Sequence, residues 1–452
     1  MKRRAAVEIR VPAHLAGPLR AGVAYRRGRE SVAFGLVSHT RLRDRTLVLL
    51  RKVVTLPDEA YVAAPGHGAK WTGASMIPLL NEALAANLGV FFFHAHSAAG
   101  PVQLSSDDRN SARQLLPAFQ NLIPLRPHAS IVLSEDHAVA MVLLPDQAGY
   151  VEAVRVRWLG KVVRDTLDDE GGEVKDRREG IFESQALLTG SRGEGRLREA
   201  TVAVVGLSGG GSHVVQQLAH LGIGRVIGID GDRVDQRSRS RLVGVTALDV
   251  LLRRRKTSVM ARLVRRITRG VKFTSIPHAV PHQRAIDALK EADVVVGCVD
   301  SYHARADIQE LTARYLIPYI DVGLLIKPLQ DAKAITIGGN VINAIPGHFC
   351  LWCIGFLSED KLAAETGGRP PSYFHGTDRQ AQVVSMNGVL ASQAVNEVLQ
   401  LLTGFAPVDD APVIKKFNGL EGTLETWVVK PRLGCPKCET ALAAGDVVWR
   451  SI

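Results

Sequence analysis

Two patterns of apolar residues divide the chain. Through about residue 160, short runs rich in Val, Leu and Phe read as strands around one helical stretch, Gly73 to Leu88, which runs into Val90 to Phe93. That is the pattern of one compact α/β unit. From Ala200 the order becomes apolar strand, Gly-rich turn, amphipathic helix and a second apolar strand ending in Asp230, the βαβ order of a doubly wound sheet. Further strands are expected at Val294 to Cys298 and Tyr319 to Val322, and a helix from near Val389. Between the two patterns, TLDDEGGEVKDRREGIFE from Thr166 to Glu183 is charged, holds a Gly pair and lacks apolar periodicity, as a linker would. The expected division is 1–165, a linker at 166–182, and 183–452.

Composition narrows the class. A chain of 452 residues, 46% hydrophobic and 22% charged, has enough apolar content for folded cores and excludes wholesale disorder. The 56 basic and 45 acidic residues leave +11, but the excess is scattered, and its tightest run, Arg253 to Lys256, reads as a solvated helix face. No nucleic-acid partner is expected. The sequence lacks an apolar run of the ~18 residues that a membrane span needs, and its start lacks a signal-peptide core, so no membrane partner and a cytoplasmic location are expected. Four of the five cysteines form two Cys-x-x-Cys pairs, which in a reducing compartment point to metal.

In the first pattern, Phe93-His94-Ala95-His96-Ser97 ends a strand-like run. Alternation puts both imidazoles on one face, where they can share a metal. Ser105-Ser106-Asp107-Asp108 supplies a third ligand, and Glu30, on the segment ESVAFGLV, is placed as a base for a water. Three protein ligands plus water make a catalytic zinc shell. The order Glu, His-x-His, Ser-x-x-Asp resembles the JAB/JAMM (MPN) metallopeptidases over roughly the first 160 residues. The resemblance implies His94, His96 and Asp108 as zinc ligands, Glu30 as general acid/base and Ser105 as support for the oxyanion. Ala95 and Ser97 depart from the family's Ser/Thr and Pro, and the spacer to Ser105 is one residue longer, which leaves Asp107 open as the ligand.

In the second pattern, Val204-Val-Gly206-Leu-Ser208-Gly209-Gly210-Gly211-Ser212 lies between strand and helix, where glycine admits phosphate to free helix N–H groups. A nicotinamide dinucleotide would fit equally, with Asp230 on a ribose in either case. Downstream Asp232, Arg241, Lys256 and Asp300 favour ATP, because cleavage at the α-phosphate requires charge neutralised around a magnesium-bound triphosphate. The run from Ala200 to Cys438 resembles the ThiF/MoeB adenylyltransferases, which include the ubiquitin-activating enzymes. Its marks are the Gly-rich loop, Asp-x-Asp-x-Val, Arg241-Leu-Val-Gly, Lys256, Val-Asp300-Ser301-Tyr-His-Ala-Arg305 and the cysteine pairs. The resemblance implies a Rossmann-like α/β fold in which Gly206, Gly209 and Gly211 contact ATP and Asp230 and Asp232 serve the ribose side. Arg241 and Lys256 would hold the phosphates and Asp300 the Mg2+, with Ser301 beside it. Ser238 is expected among the ATP-contacting residues as well, although it and Ser208 stand where the family often has Asn and Gly. Ser184 replaces an Arg that would reach into the partner subunit of a homodimer.

Cys350-Leu-Trp-Cys353 and Cys435-Pro-Lys-Cys438 form a four-thiolate set, closed and therefore structural. That leaves Cys298, which sits at the end of an apolar strand and reads as a core residue. Pro370 to Val384, where ubiquitin-activating enzymes usually carry their cysteine, has none, and Ser372 or Thr377 is the hydroxyl alternative.

The reading is a JAMM-type peptidase fused to a ThiF-type adenylyltransferase, with ATP, Mg2+ and Zn2+ as cofactors. Its substrate would be the C-terminal glycine of a ubiquitin-like β-grasp protein, in a bacterial conjugation pathway with a conjugating enzyme, in antiphage defence, or in sulfur transfer. A pseudo-enzyme scaffold with one inactive half is the rival. A nicotinamide oxidoreductase or a basic zinc-containing nucleic-acid binder leaves Lys256, Asp300 and the His-x-His unexplained.

Overall fold

The computed structural model describes residues 6–25, 30–62, 69–96, 102–134, 137–152, 154–166, 181–328, 335–367, 381–407 and 413–446. In the first part, β1 (Val7–Val11), β2 (Val32–Arg41), β3 (Thr46–Thr55), β4 (Gly89–Ala95), β5 (His128–Leu133), β6 (Ala138–Leu143), β7 (Tyr150–Val151), β8 (Val154–Trp158) and β9 (Arg164–Thr166) form one sheet. Its order is β7-β6-β5-β4-β2-β3-β1-β8-β9. Helix α1 (Ala13–Val23) packs Leu19 and Val23 with Val7, Ile9 and Val11 on one face, while α2 (Ile77–Ala85) and α3 (Ser106–Leu122) cover Phe34, Leu36, Val90 and Phe92 on the other. The alternation of strand side chains thus feeds two separate cores. The helix expected from Gly73 is a short 3-10 turn, Gly73–Met76, followed by α2. Pro78 lies in the first turn of α2, where its missing N–H costs nothing.

In the second part, α4 (Glu183–Glu199) leads into β10 (Thr201–Val205), α5 (Gly209–His220), β11 (Arg225–Ile229), α6 (Ala247–Leu251), α7 (Lys256–Ile267), β12 (Lys272–Ile276), α8 (Gln283–Lys290), β13 (Val294–Gly297), α9 (Tyr302–Arg314) and β14 (Tyr319–Pro328). Then follow β15 (Ile335–Ala344), α10 (Glu359–Thr366), α11 (Val384–Thr403), β16 (Val413–Asn418), β17 (Thr423–Val428) and α12 (Pro436–Ala441). The sheet runs β12-β11-β10-β13-β14-β15-β16-β17, parallel up to β14 and antiparallel beyond. Its direction of winding reverses between β10 and β13, the crevice where doubly wound sheets take ligands. Helix α11 begins at Val384, five residues before the expected Val389, and takes in Gly388, whose Cβ position lies 3.5 Å from the His213 ring of α5. Among the described residues no helix is long and apolar enough to cross a membrane.

The two parts share one core. Leu42, Leu47, Leu49, Leu159 and Val163 pack with the apolar residues of the second sheet, and the Val163 amide donates to the Leu401 carbonyl at 2.8 Å. Beside this contact Glu8 accepts from Arg10 at 2.8 Å and forms an ion pair with Arg45, whose Nε lies 3.1 Å away. Arg157 bonds Asp293, which precedes β13, and Asp165 at 2.8 Å. Arg10 also donates to the Tyr315 carbonyl at 2.9 Å. Each buried charge therefore has partners, as its desolvation requires. The C-terminal tail closes the seam: Ser38 donates to the Ala443 carbonyl, and Asp446 accepts from Lys290, Tyr315 and Thr40.

Candidate functional site

At the carboxyl ends of the parallel strands opens a cavity of about 790 Å³. Gly206, at φ +85, turns the chain from β10 into α5, and a Cβ on it would strike the Cys298 carbonyl at 2.6 Å. The turn therefore needs glycine. Gly209 and Gly210 line the cavity at the first turn of α5, where the backbone N–H groups lack helical acceptors. Asp230 ends β11; its carboxylate accepts the amides of Leu207 at 2.7 Å and Asp232 at 2.8 Å, which ties the glycine loop to the next strand. Lys256, the first residue of α7, donates to Asp232 at 2.7 Å and lies 3.5 Å from Asp230. Arg241 lines the same space, with a buried Nε that has no hydrogen-bond partner among the described residues. An orphaned cationic donor beside a helix N-terminus is the donor set for a polyanion. Asp300 lines the cavity as well.

Three expected ligand-binding residues stand elsewhere. Gly211 packs α5 against the loop, with its Cβ position 1.8 Å from the Gly206 carbonyl oxygen, so its lack of a side chain serves helix packing. Ser238 is buried and exchanges hydrogen bonds with Asp235 in the cap of the turn Gln236–Ser240. Ser301 caps α9 by accepting the Ala304 amide at 3.2 Å. None of the three lines the cavity.

The cavity also exposes Arg237, Ser240, Asn340 and Asn387, which sequence reasoning passed over, and Arg305, which it named in the Asp300 motif without a role. Arg237 and Ser240 flank Ser238 at turn spacing, a local signal that was legible. Asn340 and Asn387 come from β15 and α11, far off in sequence, and carry no such signal. Cys298 is half-buried on the cavity side; burial and the nearby Asp321 carboxylate push its thiol up to about 12, against Arg305. A thiol shifted in that direction stays protonated at neutral pH and is a poor nucleophile. Ser372 and Thr377 lie outside the described residues.

In the first part, β4 carries His94 and His96 to its end, and α3 starts opposite them. His94 Nε2 lies 2.9 Å and His96 Nε2 3.3 Å from the two Asp108 oxygens. Ser105 caps α3, and its hydroxyl and amide both donate to Asp108 at 2.7 Å. Burial alone would raise the Asp108 carboxyl, but the bonds from His94 and Ser105 hold it well below the usual carboxylate range. The capping box turns the third residue of α3 back toward the cap, so Asp108 joins the histidines while Asp107 stays exposed and outside the cluster. The ligand atoms of His94, His96 and Asp108 lie within 4.8 Å of one another, a spacing that admits one metal ion with these three ligands among the described residues. Ser105 spends its hydroxyl on Asp108. Val32 of β2 faces His94 in antiparallel register; half-buried Glu30 lies two residues before it, ahead of the strand, and is not one of the clustered residues.

A third cluster joins distant segments. The sulfurs of Cys350, Cys353, Cys435 and Cys438 lie within 4.8 Å of one another, with Cys350 and Cys435 3.8 Å apart. A zinc tetrahedron with bonds of about 2.3 Å has edges of about 3.8 Å, so the thiols fit a closed four-thiolate site.

The chain matches the model of the ThiF family over residues 182–439. It is 32% identical over 260 residues to the sulfur carrier protein adenylyltransferase of Thermus thermophilus, covering 57% of this chain and 89% of that protein. It is 24% identical over 251 residues to the sulfur carrier protein ThiS adenylyltransferase of Escherichia coli, covering 54% of this chain and 88% of that one. The adenylyltransferase and sulfurtransferase UBA4 of Kluyveromyces lactis is 26% identical over 268 residues, 58% of this chain, which spans only 54% of that protein's length. With a glycine loop, a polyanion cavity and a matching model over more than half its length, the chain belongs to the ThiF family.

Proposed function

We propose that the protein adenylates the C-terminal glycine of a small ubiquitin-like or sulfur-carrier β-grasp protein. The observation that carries this reading is the cavity in which the α5 N-terminus, Arg241, Lys256 and Asp300 converge. With MgATP bound as substrate, the α5 amides and Arg241 neutralise phosphate charge, and Lys256 leaves its Asp232 partner to do the same. Asp300 would hold the magnesium. One oxygen of the glycine carboxylate bonds the α-phosphorus while the bond to the bridging oxygen breaks, and pyrophosphate leaves with that electron pair. No thiol takes part. Magnesium-dependent exchange of pyrophosphate into ATP, dependent on a β-grasp protein and abolished by deleting its terminal glycine, tests the reading. Absence of exchange with a panel of such proteins would overturn it.

We read residues 1–165 as a JAMM-type hydrolase domain, 166–182 as a linker and 183–452 as the adenylation domain. Zinc held by His94, His96 and Asp108 would supply Lewis acidity and acidify a water. Glu30 would act as the base and acid that takes up and returns a proton at a water, and Ser105 keeps Asp108 oriented. Substrates of both halves are then the same glycine tail, either trimmed or cut from an amide linkage. A homodimer, a conjugating-enzyme partner and antiphage defence belong to this reading. Activation for sulfur transfer is the second reading, favoured by the sulfur-carrier substrates for which the Thermus thermophilus and Escherichia coli relatives are named.

A further inference from the structure

Arg305 closes the Asp300 motif yet has no part in phosphate binding as derived above. It lies in the first turn of α9, lines the cavity and is 4% exposed. Beneath it Asp321, fully buried on β14, accepts from its Nε at 3.0 Å and from the buried Tyr319 hydroxyl at 2.7 Å. Its guanidinium lies 5.6 Å from the Phe356 ring centroid. A Cβ added at Gly323, the next glycine along β14, would stand 3.2 Å from an Arg305 terminal nitrogen.

The cavity lining holds two sets of residues. The glycine loop, Asp230, Arg241 and Lys256 suit a triphosphate. Arg305 lies against Phe356 and Gly323, whose antiparallel partner Asn340 also lines the cavity, as do Leu324, Leu325 and Leu390. An extended, small-residue peptide ending in a carboxylate suits this second set: Leu324, Leu325, Phe356 and Leu390 for the chain, one planar donor for the terminus. Compensation by Asp321 matters as well. A fully compensated arginine orients an anion without trapping it, so binding energy is not wasted on the ground state.

We propose that Arg305 is the acyl-positioning residue of this site, donating to the carboxylate oxygen that remains as the carbonyl after transfer, with Asp321 and Tyr319 as positioning residues that hold its plane. The inference rests on the adenylation reading and names the part of the cavity that takes the peptide terminus. Arg305 moves no proton; it fixes which oxygen faces the α-phosphorus.

Two stable probes separate the surfaces: sulfamoyladenosine, which fills only the nucleotide side, and glycyl sulfamoyladenosine, a mimic of a glycyl adenylate. Calorimetry on the full chain should find the glycyl compound bound more tightly by wild type. Arg305→Lys should remove about 10- to 100-fold of that advantage, the range of a hydrogen bond to a charged group, and leave ATP affinity within about threefold. Arg305→Gln paired with Asp321→Asn removes both charges, leaves no unpaired buried ion and should behave alike. Tyr319→Phe should lose part of the advantage. An unchanged affinity ratio in folded variants, or a parallel loss of ATP and both probes, overturns the inference while the adenylation reading stands. Failure of wild type to bind MgATP overturns that reading and this inference with it.

Discussion

Replacing Gly211 by alanine tests how the anion-binding helix end is held. The new Cβ would fall 1.8 Å from the Gly206 carbonyl oxygen and 2.9 Å from its carbon. Cβ atoms do not approach other atoms closer than 3.0 Å, so helix or loop has to retreat by about 1.2 Å (3.0 less 1.8). The loop has nowhere to go. Gly206 is pressed against the Cys298 carbonyl, and its amide donates to Ile229 at 2.9 Å. Helix α5 must therefore move, and its N-terminus leaves the position that faces the phosphates. Overpacking of this size costs about 1–3 kcal/mol of stability. A displacement of about 1 Å at a reacting centre costs roughly 10² in rate. Gly210 is the internal control for stability: its nearest neighbour is Cys298 at 3.8 Å, so Gly210→Ala should unfold at the same or higher urea concentration, since alanine is worth roughly 0.5–1 kcal/mol over glycine in a helix. Gly211→Ala should show a lower urea midpoint and weaker MgATP binding by calorimetry, although its side chain lies outside the cavity lining. Equal midpoints for the two variants, or full MgATP affinity in Gly211→Ala, would refute the packing argument.

Cys350→Ser or Cys438→Ser should give insoluble or partly unfolded protein, because a zinc ion there would contribute on the order of 10 kcal/mol to folding; elemental analysis of well-folded wild type without zinc would count against the site. Glu30→Gln should slow tail cleavage by about 10² to 10⁴ while pyrophosphate exchange continues, and cleavage at the wild-type rate would leave Glu30 without a role. Arg157→Met should destabilise by about 3–5 kcal/mol, since Asp293 and Asp165 keep their charges at the seam, which urea titration measures against wild type. His128 is fully buried, with its Nδ1 accepting the Val90 amide and its Nε2 paired to the Ile123 carbonyl, and burial lowers its pKa. Its folded pKa lies below the unfolded value of about 6.5, so the neutral ring's contribution is whole above that value and declines as pH falls below it. Urea midpoints from pH 7 to 5 should fall less steeply in His128→Gln, and an identical slope would contradict the assignment.

What the sequence determined by itself is local. A strand repeats every two residues, so His-x-His places two imidazoles on one face wherever the strand lies. A glycine run between an apolar strand and an amphipathic helix specifies a tight turn and a helix N-terminus, which is what Val204 to Ser212 form. Cys-x-x-Cys brings two sulfurs together within one turn. Each signal spans a few residues, within which backbone geometry leaves little choice. Tertiary structure decided the rest, because the deciding partners are tens to hundreds of residues away. Whether Asp107 or Asp108 meets the histidines depended on where α3 is capped against the end of β4. Gly211 could be assigned to packing rather than to ligand only once the Gly206 carbonyl lay beneath it, and the partners of Arg305 came into view only when β14 brought Asp321 and Tyr319 under α9. The linker pattern separated two units, yet Leu47 and Leu49 pack into the second unit's core and Arg157 reaches Asp293. The alternation that marks a strand as having a buried face cannot say which body buries it.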